Sequence, residues 1–206
     1  MKQLRSVLAL TMGAFLAIAP VQAEESLSEI GRRLAKNAVI CAEFTQSKSL
    51  RALTRPLVSR GRLVFIAEKG VLWRVREPFP TQVLIKRDAL ISWNDEGKPQ
   101  RLGFGQNPIF RSLSRVILAV FSGEIDRLRE TFEIESAVSQ SNWRLILTPL
   151  DTDFSAIIAK IRASGGRFVD ELRIEEGRGD QTIIKFSGMN TESCRLDNAE
   201  KNYFSH

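Results

Sequence analysis

Hydrophobic residues recur at two different periods along this chain, and the change of period separates its predicted elements. From Leu27 to Ala42 they recur every three or four positions, which predicts an amphipathic helix. Ser26 and Glu29 fit a capping box at the start of that helix. The apolar stripe, which includes Leu34 and Cys41, predicts that the helix packs against another surface.

After Phe44 the period shortens to two, which is typical of strands with one buried face. Tight turns at glycine, proline and Asp-Glu-Gly-Lys separate short runs of this kind. The pattern predicts strands over 62–66, 71–76, 82–86, 89–93, 132–136, 142–148, 168–174 and 182–186. The segment 154–162 fits either a strand or an alanine-rich helix, and the glycines that follow it favour a hairpin.

A helical stretch interrupts the predicted strands between Pro108, a favourable first-turn residue, and Gly123. Residues 124–130 follow as a second, short helix. Together these elements predict an α+β fold, in which one helix precedes a meander of antiparallel strands, and a helical insertion separates it from further strands. The apolar positions that repeat along the inserted helix are Phe110, Leu113, Ile117 and Phe121.

The first 23 residues have the pattern of a secretory signal peptide. Lys2 and Arg5 form a basic start, and an apolar run too short to span a bilayer follows. Val21 to Ala23 supplies small residues at the end of the run. We expect cleavage after Ala23, which leaves residues 24–206 as a single domain outside the cytoplasm. The residue directly after the expected cleavage site is Glu24, not a cysteine, so we expect no lipid anchor on the mature chain.

The formal net charge of the whole chain is +6, and removal of the signal peptide leaves a mildly basic protein. Such a charge favours an anionic membrane surface, although solvated surface charge is the commoner explanation. Lysine and arginine do not cluster with interleaved aromatic residues, so we expect no nucleic-acid partner. We expect a monomer.

Residues that support catalysis are sparse. The single histidine is His206, which is the last residue, so histidine-based triads and histidine metal sites are not expected. Carboxylate pairs such as Glu133 with Glu135 leave a hydrolase open as an alternative. We predict no catalytic residue, no metal ligand and no cofactor, and therefore a protein that is not an enzyme.

The two cysteines, Cys41 and Cys194, form one disulfide in our interpretation, because oxidising compartments favour such bridges. The bridge would tie the first helix to the last strand. Two buried free thiols are the alternative.

Large apolar residues on one face of the sheet, together with two amphipathic helices, are compatible with an apolar cavity. From the pattern alone an ordinary packed core is the commoner explanation.

Short motifs recur in a fixed order over most of the mature chain. Phe44–Lys48 reads Phe-x-Gln-x-Lys, and Leu145–Pro149 reads Leu-x-Leu-Thr-Pro. Further motif positions are Pro56, Ser59, Gly61, Leu63, Gly70, Trp73, Pro78, the run 179–182, Ile184 and Phe186. In order and spacing these motifs resemble those of the periplasmic outer-membrane lipoprotein carrier family, the LolA-like proteins.

The resemblance implies a half-open antiparallel β-barrel, a strongly curved sheet, covered by amphipathic helices that act as a lid. Its partners would be an acylated cargo, an inner-membrane donor protein and an outer-membrane acceptor protein, all in the periplasm. The implied lid residues are Phe110, Leu113, Ile117 and Phe121. The implied cavity residues are Leu63, Phe65, Val71, Trp73, Val75, Val83, Ile85, Trp93, Leu145 and Leu147.

This chain departs from the family where many members have an Arg-Pro pair whose arginine latches the lid. Ala67 and Glu68 occupy those positions, so the latch is missing or comes from another residue such as Lys69. We therefore expect a divergent member, whose cargo is a lipoprotein or another acylated molecule. A periplasmic sensor or adaptor on the same fold, which binds an acylated or unfolded partner, is the second hypothesis, and a periplasmic hydrolase is the third.

Overall fold

The computed structural model describes residues 19–94, 96–104 and 108–205. Their main element is one antiparallel sheet of 11 strands. The strands are β1 (Val39–Ser49), β2 (Leu57–Ile66), β3 (Gly70–Glu77), β4 (Thr81–Ile85), β5 (Ala89–Trp93), β6 (Pro99–Gly103), β7 (Phe132–Val138), β8 (Trp143–Pro149), β9 (Ile158–Gly165), β10 (Val169–Glu176) and β11 (Gln181–Asn190).

The sheet is curved but does not close on itself. Its strand order is β6-β5-β4-β3-β2-β1-β11-β10-β9-β8-β7, so β6 and β7 form the two free edges. The first and last strands of the chain, β1 and β11, pair in the middle and join the two halves. The prediction of an α+β fold with a half-open antiparallel barrel is confirmed.

Helices occupy one face of the sheet and the end of the chain. They are α1 (Ala19–Leu34), α2 (Pro108–Ser122), a 3-10 helix (Ile125–Glu130), α3 (Thr152–Ser155) and α4 (Asn198–Tyr203). In the part of the chain that is described, no helix combines the length and hydrophobicity that crossing a bilayer requires. Most of the predicted signal peptide, residues 1–18, lies outside the described residues.

The main hydrophobic core lies between the helices and one face of the sheet, which we call the inner face. Alternation along each strand directs one set of side chains there, including Phe44, Leu63 and Val71. Leu27 and Ile30 of α1 are also buried in this core. The other members of the set come from both halves of the sheet, so a single continuous core holds the halves together.

The predicted helix over Leu27–Ala42 is wrong at both ends. Helix α1 extends from Ala19 to Leu34 in the described chain, so Ser26 lies inside it and is not its N-cap. The chain then enters β1, where Ile40 faces the inner core and Cys41 faces the opposite side. Pairing with β2 and β11 on both sides outweighs the chance helical spacing of these residues.

The opposite face of the sheet, which we call the outer face, has a smaller core of its own. A segment that we call the C-terminal strap, residues 194–204, covers it. Tyr203 packs on Trp93 with ring centroids 4.5 Å apart. The predicted disulfide is confirmed: Cys194 is bonded to Cys41, with Cα atoms 5.3 Å apart. It joins β1, not the first helix, to the segment after β11.

A buried carboxylate fixes the strap to the sheet. Glu200 of α4 is only 1 % exposed, and it accepts a 2.9 Å hydrogen bond from Nε of Arg62. Nη1 of Arg74 lies 3.3 Å from the same oxygen and also donates to Asp197. The backbone N–H of Glu200, and then Arg74, hold the pKa of Asp197 below its usual value. Burial alone would lower the pKa of Arg74, but Asp197 and Glu200 outweigh it and raise that pKa.

Three of the motif residues, Phe44, Gly61 and Trp73, meet where β1, β2 and β3 approach one another closely. Trp73 stacks against Phe44 with ring centroids 4.3 Å apart. The Phe44 ring also covers Gly61 of β2, at a point where the register of β2 and β3 shifts. A Cβ atom at Gly61 would lie 2.7 Å from that ring and would collide with the carbonyl oxygen of Arg74. Only glycine fits here.

Replacing Gly61 with alanine should therefore lower the free energy of unfolding by about 2–3 kcal/mol, because the methyl group displaces β3 and the Phe44 ring. Gly103 is the matched control, since a Cβ atom there meets nothing within 4 Å. Gly103→Ala should change that free energy by about 0.5 kcal/mol or less. Urea denaturation measures both, and equal effects of the two substitutions would show that the close approach is not a constraint.

Candidate functional site

An open apolar groove of about 270 Å³ lies on the inner face, between the sheet and α2. We call it the inner groove. Both halves of the sheet contribute to its floor, because β1 and β11 run through the centre. The floor residues are Gln46, Trp73, Val83, Ile85, Leu90, Ile161, Leu172, Ile174, Thr182 and Ile184.

Helix α2 forms the roof of the inner groove. Leu113, Ile117 and the half-exposed Phe110 lie over the opening, whereas Phe121 at the other end of the helix is buried. Phe121 packs edge-on against Phe186 at 5.4 Å and lies 6.2 Å from Phe65, measured between ring centroids. The helix is therefore anchored at its C-terminal end and lines the groove along the rest of its length.

The polar groups of the groove are few and uncharged. Gln46, Ser114 and Thr182 are its only polar lining residues within the described part of the chain. The hydroxyl of Thr182 lies 3.5 Å from a carboxylate oxygen of Glu176, outside the lining. A surface with this composition favours apolar ligands, since nothing in it balances a charged group.

The structure brings together part of the predicted site. Trp73, Val83 and Ile85 line the inner groove, and so do Phe110, Leu113 and Ile117 of the predicted lid. Phe121, the fourth predicted lid residue, does not line the groove, because its side chain is buried between α2 and the sheet. Five other predicted inner-face residues belong to the packed core and do not line this groove: Leu63, Val71, Val75, Leu145 and Leu147. Phe65 also lies outside this groove and lines a second cleft, which is described below.

Trp93 does not line the inner groove. It lies on the outer face against Tyr203, because odd-numbered residues of β5 face that side. The sequence pattern did not distinguish the faces of this short strand, since Leu90 and Ile91 are both apolar. Leu90 is the β5 residue that faces the groove.

Sequence reasoning missed the groove residues of the second half of the sheet. Ile161, Leu172, Ile174 and Ile184 all lie opposite α2. Their strands were predicted in part, and Leu172 and Ile174 were placed on a common face. Nothing in the sequence, however, shows that β11 returns to pair with β1 and so brings these residues to the same groove.

At the position where the resemblance implies a latch arginine, this chain has Ala67. Ala67 lies in the turn between β2 and β3, and its amide N–H donates to the carbonyl oxygen of Ala38. Among the described residues, Lys69 forms no ion pair or side-chain hydrogen bond with α2. The same part of the chain contains no group of three or more histidine, cysteine or acidic side chains that could hold a metal ion.

The sequence profile of the family described as "Outer membrane lipoprotein carrier protein LolA-like" matches residues 19–202. The chain belongs to this family. The match covers all eleven strands and most of α4, so the resemblance of the short motifs is confirmed over almost the whole described chain. No curated protein sequence matches the chain.

Solved structures resemble this LolA-like protein at low sequence identity. A DUF1329 family protein from Desulfovibrio piger is 12% identical with a TM-score of 0.50, over 90% of this chain and 98% of that one. A LolA superfamily protein from Nitrosomonas europaea is 12% identical with a TM-score of 0.49, over 84% and 95%. A putative outer membrane lipoprotein-sorting protein domain from Vibrio parahaemolyticus is 11% identical with a TM-score of 0.49, over 89% and 100%. At 12% identity, the likeness to the Desulfovibrio piger protein shows a shared fold alone.

Proposed function

We propose that this protein is a periplasmic carrier that shields the acyl chains of a lipoprotein or another lipid during transfer toward the outer membrane. The observation that supports the proposal is the inner groove, whose lining is apolar on the floor and on the α2 roof. Membership of the lipoprotein carrier-like family supports the same function.

The energetics of acyl chains explain why such a groove is useful. Each methylene group exposed to water costs about 0.8 kcal/mol, so a lipid with long acyl chains does not leave a membrane unaided. A groove lined by Ile117, Ile174 and similar side chains replaces that water with apolar contacts. The predicted signal peptide, residues 1–23, would place the protein in the compartment between the two membranes.

The groove must widen to admit its cargo. Its volume of about 270 Å³ is slightly below the range of about 300–1,000 Å³ that is common for small-molecule pockets. Movement of α2 would leave most of the sheet in place, because α2 contacts the 3-10 helix and α1 more extensively than it contacts any strand. Since Phe121 anchors one end, we propose that α2 swings outward from its Phe110 end when acyl chains enter.

The partners follow from this function. The acylated cargo would come from an inner-membrane donor protein and pass to an outer-membrane acceptor protein. The carrier would act without catalysis and without a cofactor, as a monomer.

Binding of a fluorescent fatty acid tests the groove. Ile117→Glu places a charge in the roof, where no described lining residue can neutralise it, so the dissociation constant should rise about tenfold or more. Ile157→Glu is the matched control, because Ile157 is 45% exposed and lies outside the groove. It should leave binding unchanged. Urea midpoints show whether both variants are folded, and equal affinity of two folded variants would exclude the inner groove as the binding site.

A further inference from the structure

A second cleft, of about 700 Å³, lies on the other side of α2 and shares no lining residue with the inner groove. We call it the basic cleft, because positively charged side chains from five separate segments line it. Turns after α1, β2 and β4, helix α2 and the 3-10 helix each contribute. These side chains are Lys36, Lys69, Lys86, Arg87, Arg115 and Arg127.

Positive charge exceeds negative charge in the basic cleft. Four acidic residues also line it, and two of them are engaged with its arginines. Glu124 lies 2.7 Å from Arg87 and 3.3 Å from Arg127, and Glu130 lies 3.6 Å from Arg115. The arginines are thereby held in place by neighbouring carboxylates while their remaining N–H groups stay available.

Two lysines of the cleft have no such partner. Within residues 19–94, 96–104 and 108–205, Lys36 and Lys69 take part in no ion pair. The turns that carry them are joined by a 2.8 Å hydrogen bond from the amide of Ala67 to the carbonyl oxygen of Ala38. The backbone therefore brings the two turns that carry Lys36 and Lys69 together at one side of the cleft.

A buried amide in the same turn also lacks a partner. The side-chain nitrogen Nδ2 of Asn37 is shielded from solvent and has no hydrogen-bond acceptor in the structure, although Asn37 lines the cleft. A buried donor without an acceptor costs about 1–3 kcal/mol. A turn of the Asn37 side chain toward the cleft would offer this donor to an anion, which Lys36 and Lys69 would also attract.

From these observations we infer that the basic cleft binds a phosphate group, either on a lipid or on a soluble phosphate ester. A phosphate group suits donors that converge from several segments, since it presents several strong acceptor oxygens. The inference does not depend on the carrier function, because it concerns a separate cleft. The basic cleft lies on the other side of α2 from the inner groove. It would therefore bind a charged group, which the apolar groove cannot hold.

Titration calorimetry of the full mature chain with inorganic phosphate tests the cleft. Lys36→Gln/Lys69→Gln and, separately, Asn37→Asp should each raise the dissociation constant about tenfold or more. The first removes two ammonium groups from the cleft, and the second replaces an amide donor with a carboxylate that repels the anion. Lys98→Gln/Lys201→Gln is the control, since it removes the same net charge from exposed positions outside the cleft. It should change the dissociation constant by about twofold or less.

Equal weakening by the control, or no saturable binding by the unmodified protein, would overturn the inference. The unmodified protein should also float with phosphatidylcholine vesicles that contain phosphatidic acid if the phosphate belongs to a lipid. Phosphate binding without flotation assigns the cleft to a soluble phosphate ester. Fatty-acid binding by the same variants, measured in parallel, should stay unchanged, which separates failure of this inference from failure of the carrier proposal.

Discussion

Replacing both Cys41 and Cys194 with alanine should lower the free energy of unfolding by about 4–5 kcal/mol. The disulfide closes a loop with a sequence separation of 153 residues, and the chain-entropy model gives this magnitude for loops of that length. The bridge also holds the strap on the outer face, where Cys41 is 2% exposed. Urea denaturation of the oxidised protein and of the double variant measures the difference.

The reduced unmodified protein is the control for the disulfide prediction, since it has both sulfur atoms but no bridge. It should unfold at a urea concentration close to that of the double variant. A loss of less than about 1 kcal/mol in both proteins would mean that the bridge adds little to what the strap and sheet already provide.

Glu200→Gln should lower the free energy of unfolding by about 2–3 kcal/mol. The carboxylate of Glu200 is buried against Arg62 and Arg74, and removal of its charge takes from both guanidinium groups their most buried carboxylate partner. Arg74 keeps its ion pair with Asp197, which limits the cost. Both arginines keep partial contact with solvent, so the expected cost is below that of a fully buried pair. Glutamine keeps the shape of the side chain, which isolates the effect of the charge.

Glu130→Gln is the matched control for this substitution. Glu130 also pairs with an arginine, Arg115, but its side chain is 69% exposed, so the expected change is about 0.5 kcal/mol or less. Combining Glu200→Gln with removal of the disulfide should cost less than the sum of the separate effects, because both features hold the same strap. Similar effects of Glu200→Gln and Glu130→Gln would contradict the importance of the buried carboxylate.

Strand periodicity and turn residues predicted most of the sheet, because alternation such as that of Val71 to Arg76 has no helical counterpart. The prediction failed where local spacing and tertiary pairing disagree. Residues 39–42 continue the helical stripe of α1 by coincidence, yet they pair with β2 and β11. Strand β6 (Pro99–Gly103) was missed because its exposed residues show no apolar alternation. Helix α4 is too short to produce a periodic pattern.

The candidate site was predictable only in part. The helical spacing of Leu113 and Ile117 identified the roof, and the parity of Trp73 and Val83 identified part of the floor. Some inner-face residues border the groove, and others, such as Leu145, belong to the packed core. The difference depends on how far α2 lies from each strand. That distance is set by the packing of Phe121 and its neighbours, and no sequence pattern expresses it.

The three tryptophans of this chain provide the most direct test of the claim that acyl chains enter the inner groove. Trp73 lines the groove, whereas Trp93 packs on the outer face against Tyr203. A brominated fatty acid quenches tryptophan fluorescence only at short range. The account predicts saturable quenching that Trp73→Phe abolishes and Trp93→Phe leaves intact. Quenching that survives loss of Trp73, or that disappears with loss of Trp93, would contradict it.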